Sequence, residues 1–245
     1  MAAAALAAAA FAAAPASADI QLIHTQLDSH FATLTNNQTN QSYYVYDAPV
    51  TFTAYNTNDP SKTPYNFLAF CVDLYHDMYL GDLNPGGNPV GYTYHEEDLR
   101  TDSKTSDSSH QAGTNLTNMQ LKQISALLNF AASEQALSPL QRQHEITDEL
   151  ATVQAAIWKV ENPTWTIAPS NAWVAANVDS YIAQAGHTPL MPVGVMKAIY
   201  ANNYSTQAFA FGGGVPEPAT WGLMIVGFGA IGAVLRRRRA AAALA

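Results

Sequence analysis

Few residues of this chain have types suited to covalent chemistry. Its 245 residues include one cysteine, Cys71, in the run Phe70-Cys71-Val72-Asp73. A thiolate is both a good nucleophile and a good leaving group, so a lone thiol can serve acyl transfer. One cysteine rules out an intramolecular disulfide framework and any Cys-cluster zinc or iron–sulfur site. An inert thiol buried in the core is the plain alternative. The nearest groups in sequence that could act as a base or polarise a carbonyl are Asp73, His76, Asp77 and His95. Asp73 stands two residues from Cys71, so on a strand both point to one face. His76-Asp77 and His95-Glu96-Glu97 show no metal-ligand spacing and read as exposed loop residues, so neither a metal nor a cofactor is expected. A cysteine hydrolase pairing Cys71 with His76 or His95 is a further possibility, but no Cys-His-Asn family motif surrounds them.

The elements that must position these groups follow from periodicity. β-type runs occur at 43–46, 50–55 and 67–74, punctuated by turns at Asp47-Ala48-Pro49 and Asn58-Asp59-Pro60. Cys71 therefore falls inside a strand. The polar, Gly/Pro-containing stretch from 81 to about 117 is a functional loop or hides short strands near 90–94. Thr117 can cap a helix with apolar positions Leu121, Ile124, Leu127 and Leu128. Ser138-Pro139 is a helix start, and Ile146, Leu150, Val153, Ile157 and Val160 form an apolar stripe that stops before Pro163. A third helix is predicted over 171–184, followed by strands at 194–200 and 206–211 before Gly212-Gly213-Gly214. Strands, then helices, then strands imply an α+β fold: a β-sandwich or barrel-like part with an inserted helical part.

Phe70-Cys71, taken with Val153-Gln154-Ala155-Ala156-Ile157-Trp158, resembles the thioester domains of bacterial surface proteins. Those domains carry an aromatic-Cys dipeptide on a strand and an apolar-Gln-x-x-apolar-Trp motif on a helix. The resemblance implies that Cys71 and Gln154, 83 residues apart (154 − 71), join as an internal thioester with loss of ammonia. The Thr that commonly precedes the Gln is Val153 here. A thioester reacts readily with amines and must be kept dry until used. Trp158, one turn after Gln154, and Phe70, beside the sulfur, could roof the bond; both would also serve as ordinary core. Gln154 lies about 100° round the helix from Val153, which places it at the margin of the buried face.

The ends of the chain are of another kind. The whole sequence has 11 Lys+Arg and 19 Asp+Glu, a net charge of −8. Four of those basic residues are Arg236, Arg237, Arg238 and Arg239, so the acidic remainder carries 7 − 19 = −12, which argues against nucleic-acid binding. Thirteen of residues 1–18 are Ala, and the run closes on Pro15-Ala16-Ser17-Ala18, a secretory signal cut after Ala18 by signal peptidase, although no Lys or Arg precedes it. An exported protein exposes an unpaired thiol to oxidation, which gives Cys71 added interest. At the other end, Pro216-Glu217-Pro218, Trp221, a Gly-rich apolar stretch and the Arg run resemble the PEP-CTERM sorting signal of Gram-negative bacteria. That resemblance implies processing by an exosortase. The apolar segment at about 218–235 is a borderline membrane span, with the Arg cluster cytoplasmic.

The chain is thus divided into a signal peptide (1–18), a thioester-like domain (19–211), a Gly-rich linker (212–215), a sorting signal (216–239) and an Ala-rich tail (240–245). The expectation is an exported protein with an inner-membrane intermediate and a final place at the cell surface or in the extracellular matrix. By resemblance it captures an amine on another protein or on matrix polysaccharide, turning over once and so not as an enzyme. The alternative is a non-covalent structural or glycan-binding module of a biofilm matrix with an inert Cys71. The acidic body favours cationic partners over distances of about 8–10 Å.

Overall fold

The computed structural model describes residues 19–27, 30–74, 81–82, 93–98, 104–106, 112–137, 140, 144–187, 196–201 and 207–212. The signal peptide, the sorting signal with its membrane span, His76, Asp77 and Ser138-Pro139 lie outside the described residues. Among the described residues no helix is long and apolar enough to cross a membrane.

The described body is mixed α+β. Its strands are β1 (Asp19–Leu27), β2 (Phe31–Asn36), β3 (Gln41–Tyr46), β4 (Val50–Asn56), β5 (Tyr65–Cys71), β6 (Gly81–Asp82), β7 (Thr93–Asp98), β8 (Lys104–Ser106), β9 (Ala112–Asn115), β10 (Trp165–Pro169), β11 (Met196–Ala201) and β12 (Phe209–Gly212). The helices are α1 (Asn118–Ala136), α2 (Ile146–Glu161) and α3 (Ala172–His187). The large sheet runs β4-β5-β12-β11-β7-β1-β6, and β4 also pairs with β1. That extra pairing closes six antiparallel strands into a barrel and leaves β6 at the margin. Closure removes the two unpaired edges an open sheet would present. A smaller sheet, β10-β2-β3, and the short β8–β9 pair complete the strands.

Alternation along the barrel strands sends successive side chains to opposite faces. Ile20, Leu22, Phe52, Ala54, Ala69, Cys71, Tyr94, Ile199 and Phe209 fill one core cluster, joined by Ala32, Leu34 and Trp165 of the small sheet and by Trp158 of α2. Their neighbours Phe70, Val72, Ala198 and Ala210 belong to a second cluster, built with the three helices. The small Ala residues at 198 and 210 let helices approach the barrel wall closely. β12 takes in Gly212, which the sequence places in the linker.

Local chemistry explains the helix boundaries. Thr117 and Gln120 form a reciprocal capping box at α1, and Asn171 Oδ1 accepts from the backbone N–H groups of Trp173 and Val174 at the start of α3. The expected start of the second helix at Ser138-Pro139 is corrected: α2 begins at Ile146, with Glu145 as an N-cap that makes no side-chain bond. Its first turn is fixed from outside. His144 Nε2 meets Asp148 Oδ2 at 2.7 Å and stacks on Trp173, while Asn171 Nδ2 donates to Asp148 Oδ1 at 2.9 Å. Asp148 and Glu149 also favour the positive end of the helix. Every residue from 149 to 158 is buried, because α2 lies between the barrel and the other two helices.

Candidate functional site

The site grows from the end of β5. Cys71 is the last residue of that strand, a free thiol 5% exposed. Beyond it the ladder continues for one bond, Val72 N–H to Ala208 O at 3.0 Å. The strand has ended before Asp73, so the two-residue alternation expected to place Asp73 beside Cys71 does not operate. The backbone turns instead, and Asp73 meets the sulfur through its main chain: the thiol donates to Asp73 O at 3.0 Å, and Asp73 N–H donates to Sγ at 3.3 Å. The Asp73 carboxylate reaches across to the residue before β12, where Oδ2 accepts from Ala208 N–H at 3.3 Å.

Gln154 comes to the same strand end from α2. Its Oε1 accepts from Cys71 N–H at 2.8 Å, and its Nε2 donates to Cys71 O at 2.9 Å. The carboxamide is thus locked by two reciprocal bonds to the backbone of the one residue that carries the thiol. Gln154 is completely buried, not marginal as the helical wheel implies. The whole middle of α2 is enclosed, so its stripe has no margin there. A buried carboxamide is costly unless hydrogen-bonded, and these two bonds satisfy it.

Two further residues define the environment. Gln207, just ahead of β12, donates from Nε2 to Cys71 Sγ at 2.8 Å and to Asp73 O at 3.2 Å. Tyr94, buried in the barrel, donates from its hydroxyl to Gln207 O at 2.8 Å and so fixes that segment. Trp158 is 1% exposed and shares the core cluster of Cys71. Its indole N–H lies on the side of the sulfur and favours the thiolate, yet falls short of a hydrogen bond and is buried without an acceptor. Phe70, expected to roof the sulfur, is on the opposite face of β5 and packs against the helices.

Burial pushes the Cys71 thiol well above its ordinary range, and the Asp73 carboxylate adds to the effect. The thiol is therefore neutral and protected from casual oxidation. His95 stands elsewhere, on β7, with Nδ1 3.1 Å from Asp19 Oδ1. Among the described residues no group of three or more His, Cys, Asp and Glu could hold a metal. The arrangement is suited to acyl transfer between a sulfur and a carboxamide: the Gln154 carbonyl is polarised by the Cys71 N–H, and water is excluded.

Gln207 was not legible as a site residue. Nothing in its type or neighbours marks it, and only the barrel brings positions 71 and 207 together. Glu161 is coupled electrostatically to Cys71 and Asp73. It follows Gln154 by seven residues and Trp158 by three, a spacing that places all three along one side of α2. That spacing was available in the sequence.

Residues 214–239 match the PEP-CTERM protein-sorting motif. This motif implies an exported, surface-directed protein of a Gram-negative bacterium and processing by an exosortase. Similar solved structures include thioester domains of bacterial surface adhesins. The N-terminal thioester domain of the fibronectin-binding protein SfbI from Streptococcus pyogenes is 12% identical, with a TM-score of 0.40, over 74% of this chain and 91% of that one. The N-terminal thioester domain of a Clostridium perfringens surface protein is 9% identical, with a TM-score of 0.42, over 79% and 97%. The N-terminal domain of the Streptococcus pyogenes pilus tip adhesin Cpa is 7% identical, with a TM-score of 0.40, over 78% and 98%. No curated protein matches the chain in sequence.

Proposed function

We propose that the body of this exported protein captures amines covalently through an internal thioester between Cys71 and Gln154. The Sγ–Cδ bond forms as the Cδ–Nε2 bond breaks, and the thiol proton leaves with the nitrogen as ammonia. An incoming amine then takes the Gln154 acyl group and returns the proton to sulfur. The reaction occurs once per molecule, so the protein is a covalent binder and not an enzyme. Its target would be a lysine side chain of another protein or an amino sugar of the surrounding matrix, met after secretion and exosortase processing at the cell surface. The observation that carries the reading is the reciprocal pair of hydrogen bonds, 2.8 and 2.9 Å, that holds the Gln154 carboxamide on Cys71 in a sealed site.

Intact mass of the full chain tests it. The expected result is a deficit of one ammonia in the wild type, replaced by one methylamine after treatment with that amine. Cys71→Ala should show neither. A wild type with no deficit overturns the reading.

A second reading, non-covalent binding of matrix glycans, is favoured by one feature of the small sheet. Phe31 is flanked by Tyr44 (ring centroids 5.2 Å, 8° between planes) and Tyr46 (4.6 Å, 38°), and Tyr44 is 70% exposed. Exposed rings beside the Thr35–Ser42 hydroxyl pair suit sugar contacts. Polysaccharide binding that survives Cys71→Ala but is lost with Tyr44→Ala would support it.

A further inference from the structure

A thiol and a carboxamide do not exchange unaided. The sulfur must lose a proton and the departing nitrogen must gain one, inside a site without water. Among the described residues Sγ hydrogen-bonds with the Asp73 carbonyl and amide and the Gln207 carboxamide, and none of these groups titrates in the ordinary pH range. His95 is on β7, paired with Asp19. The Asp73 carboxylate also acts on the sulfur, but its Oδ2 is engaged by the Ala208 N–H.

Glu161 is the last residue of α2, on the side that presents Gln154 and Trp158. Its Oε1 is sealed from solvent and has no hydrogen-bond partner, which is unusual for a buried carboxyl oxygen. The Trp158 N–H is sealed in the same way. The site therefore holds one unused acceptor and one unused donor on the two residues that follow Gln154 along this side of the helix. We propose, on the basis of the thioester reading, that the Glu161 carboxyl is the proton-transfer group for forming and opening the bond between Cys71 and Gln154.

Its protonation state suits the role. Burial, with the Asp73 carboxylate as a smaller contribution, raises Glu161 well above the usual carboxyl range. Its position at the negative end of the helix acts in the same direction. The coupling extends to the sulfur, because an ionised Glu161 would oppose a thiolate at Cys71. A neutral carboxylic acid has a donor O–H and an acceptor oxygen in one group. In formation, the Glu161 O–H gives its proton to Gln154 Nε2 while its other oxygen takes the thiol proton. Sγ bonds to Cδ, ammonia leaves, and Glu161 ends as it began, a neutral acid. In capture the amine proton passes to Glu161 and the Glu161 proton passes to sulfur. No other reactant is needed.

The test uses the full chain and three proteins: wild type, Glu161→Gln and Glu161→Asp. The wild type should show the complete ammonia deficit, and its methylamine uptake should be slower in heavy water. Glu161→Gln keeps the shape but cannot pass a proton both ways. It should fold, by circular dichroism and thermal melting, with deficit formation and methylamine uptake slowed on the order of 100-fold. Glu161→Asp should recover part of both rates. A Glu161→Gln protein that matches the wild type in deficit, uptake rate and pH profile overturns the role of Glu161 and leaves the thioester standing. Equal wild-type rates in light and heavy water overturn it too, even if neither variant folds. A wild type with no deficit and no uptake overturns the thioester itself, and the Glu161 role with it.

Discussion

At the Cys71 end of the barrel, Trp158 and Gln154 are shut away from water, and each polar atom of the carboxamide has a partner on the backbone of Cys71. On the outer face of the small sheet, rings of comparable size stand in the open: Tyr44 is 70% exposed and Tyr46 46%. The hydroxyls beside them pair with one another, as Thr35 does with Ser42, while Tyr43 and Gln41 pair on the other face of β3. Both regions are built from aromatic, amide and hydroxyl side chains. Their difference is access to water. A reactive acyl bond can be stored only where water is absent, whereas a surface that meets partners reversibly must stay wet. The turn between them carries a cost of its own, because Asp47, which joins β3 to β4, is buried with both carboxylate oxygens unpaired.

Trp158→Ala should most sharply distinguish the two regions. Removing a fully buried indole should cost about 3–5 kcal/mol in denaturant unfolding. If the loss is below about 1 kcal/mol, the barrel end is not the packed, dry site described. Gln154→Leu comes next. Leucine fills the space but strands the Cys71 N–H and C=O, so stability should fall by about 1–3 kcal/mol, and the ammonia deficit should vanish.

The Asp47 junction should show a pH signature. Burial raises this carboxyl from 3.8 to about 6, opposed by the charge of nearby His30. The acid form is thus favoured by folding. Its contribution is fully present below about pH 4 and is lost as pH rises to about 6, a change on the order of 1–3 kcal/mol. Asp47→Asn should flatten stability across that window in melts taken at successive pH values. Unchanged curvature would show that Asp47 is solvated. Tyr44→Ala should have the smallest effect, about 0.5 kcal/mol or less on stability. A larger loss would show that the exposed stack is structural and remove the contrast between the regions.

Much of the fold can be read from residue order. The runs at 50–55 and 67–74 became β4 and most of β5, and the Thr117 cap and the 171–184 helix are close to α1 and α3 as found. β1, β2 and β10 carried no such signal. β1 changes register between Leu22 and His24, and β10 is short and ends on Pro169, so neither keeps a long alternation. α2 starts later than its Ser-Pro signal suggests because contacts from Asn171, Trp173 and His144 settle its first turn.

The sequence by itself determined the ends and the candidate pair: an apolar leader, the sorting motif read at 216–239 and matched over 214–239, and one thiol with a glutamine on a helix. These are local patterns, and local patterns survive in one dimension. Tertiary structure decided what surrounds the pair. Closure of β4 on β1 and of β12 on β5 brings Gln207 to the sulfur, turns Phe70 away from it and seals Gln154. Burial, charge coupling and hydrogen-bond satisfaction depend on neighbours far apart in the chain, and only the folded barrel specifies those neighbours.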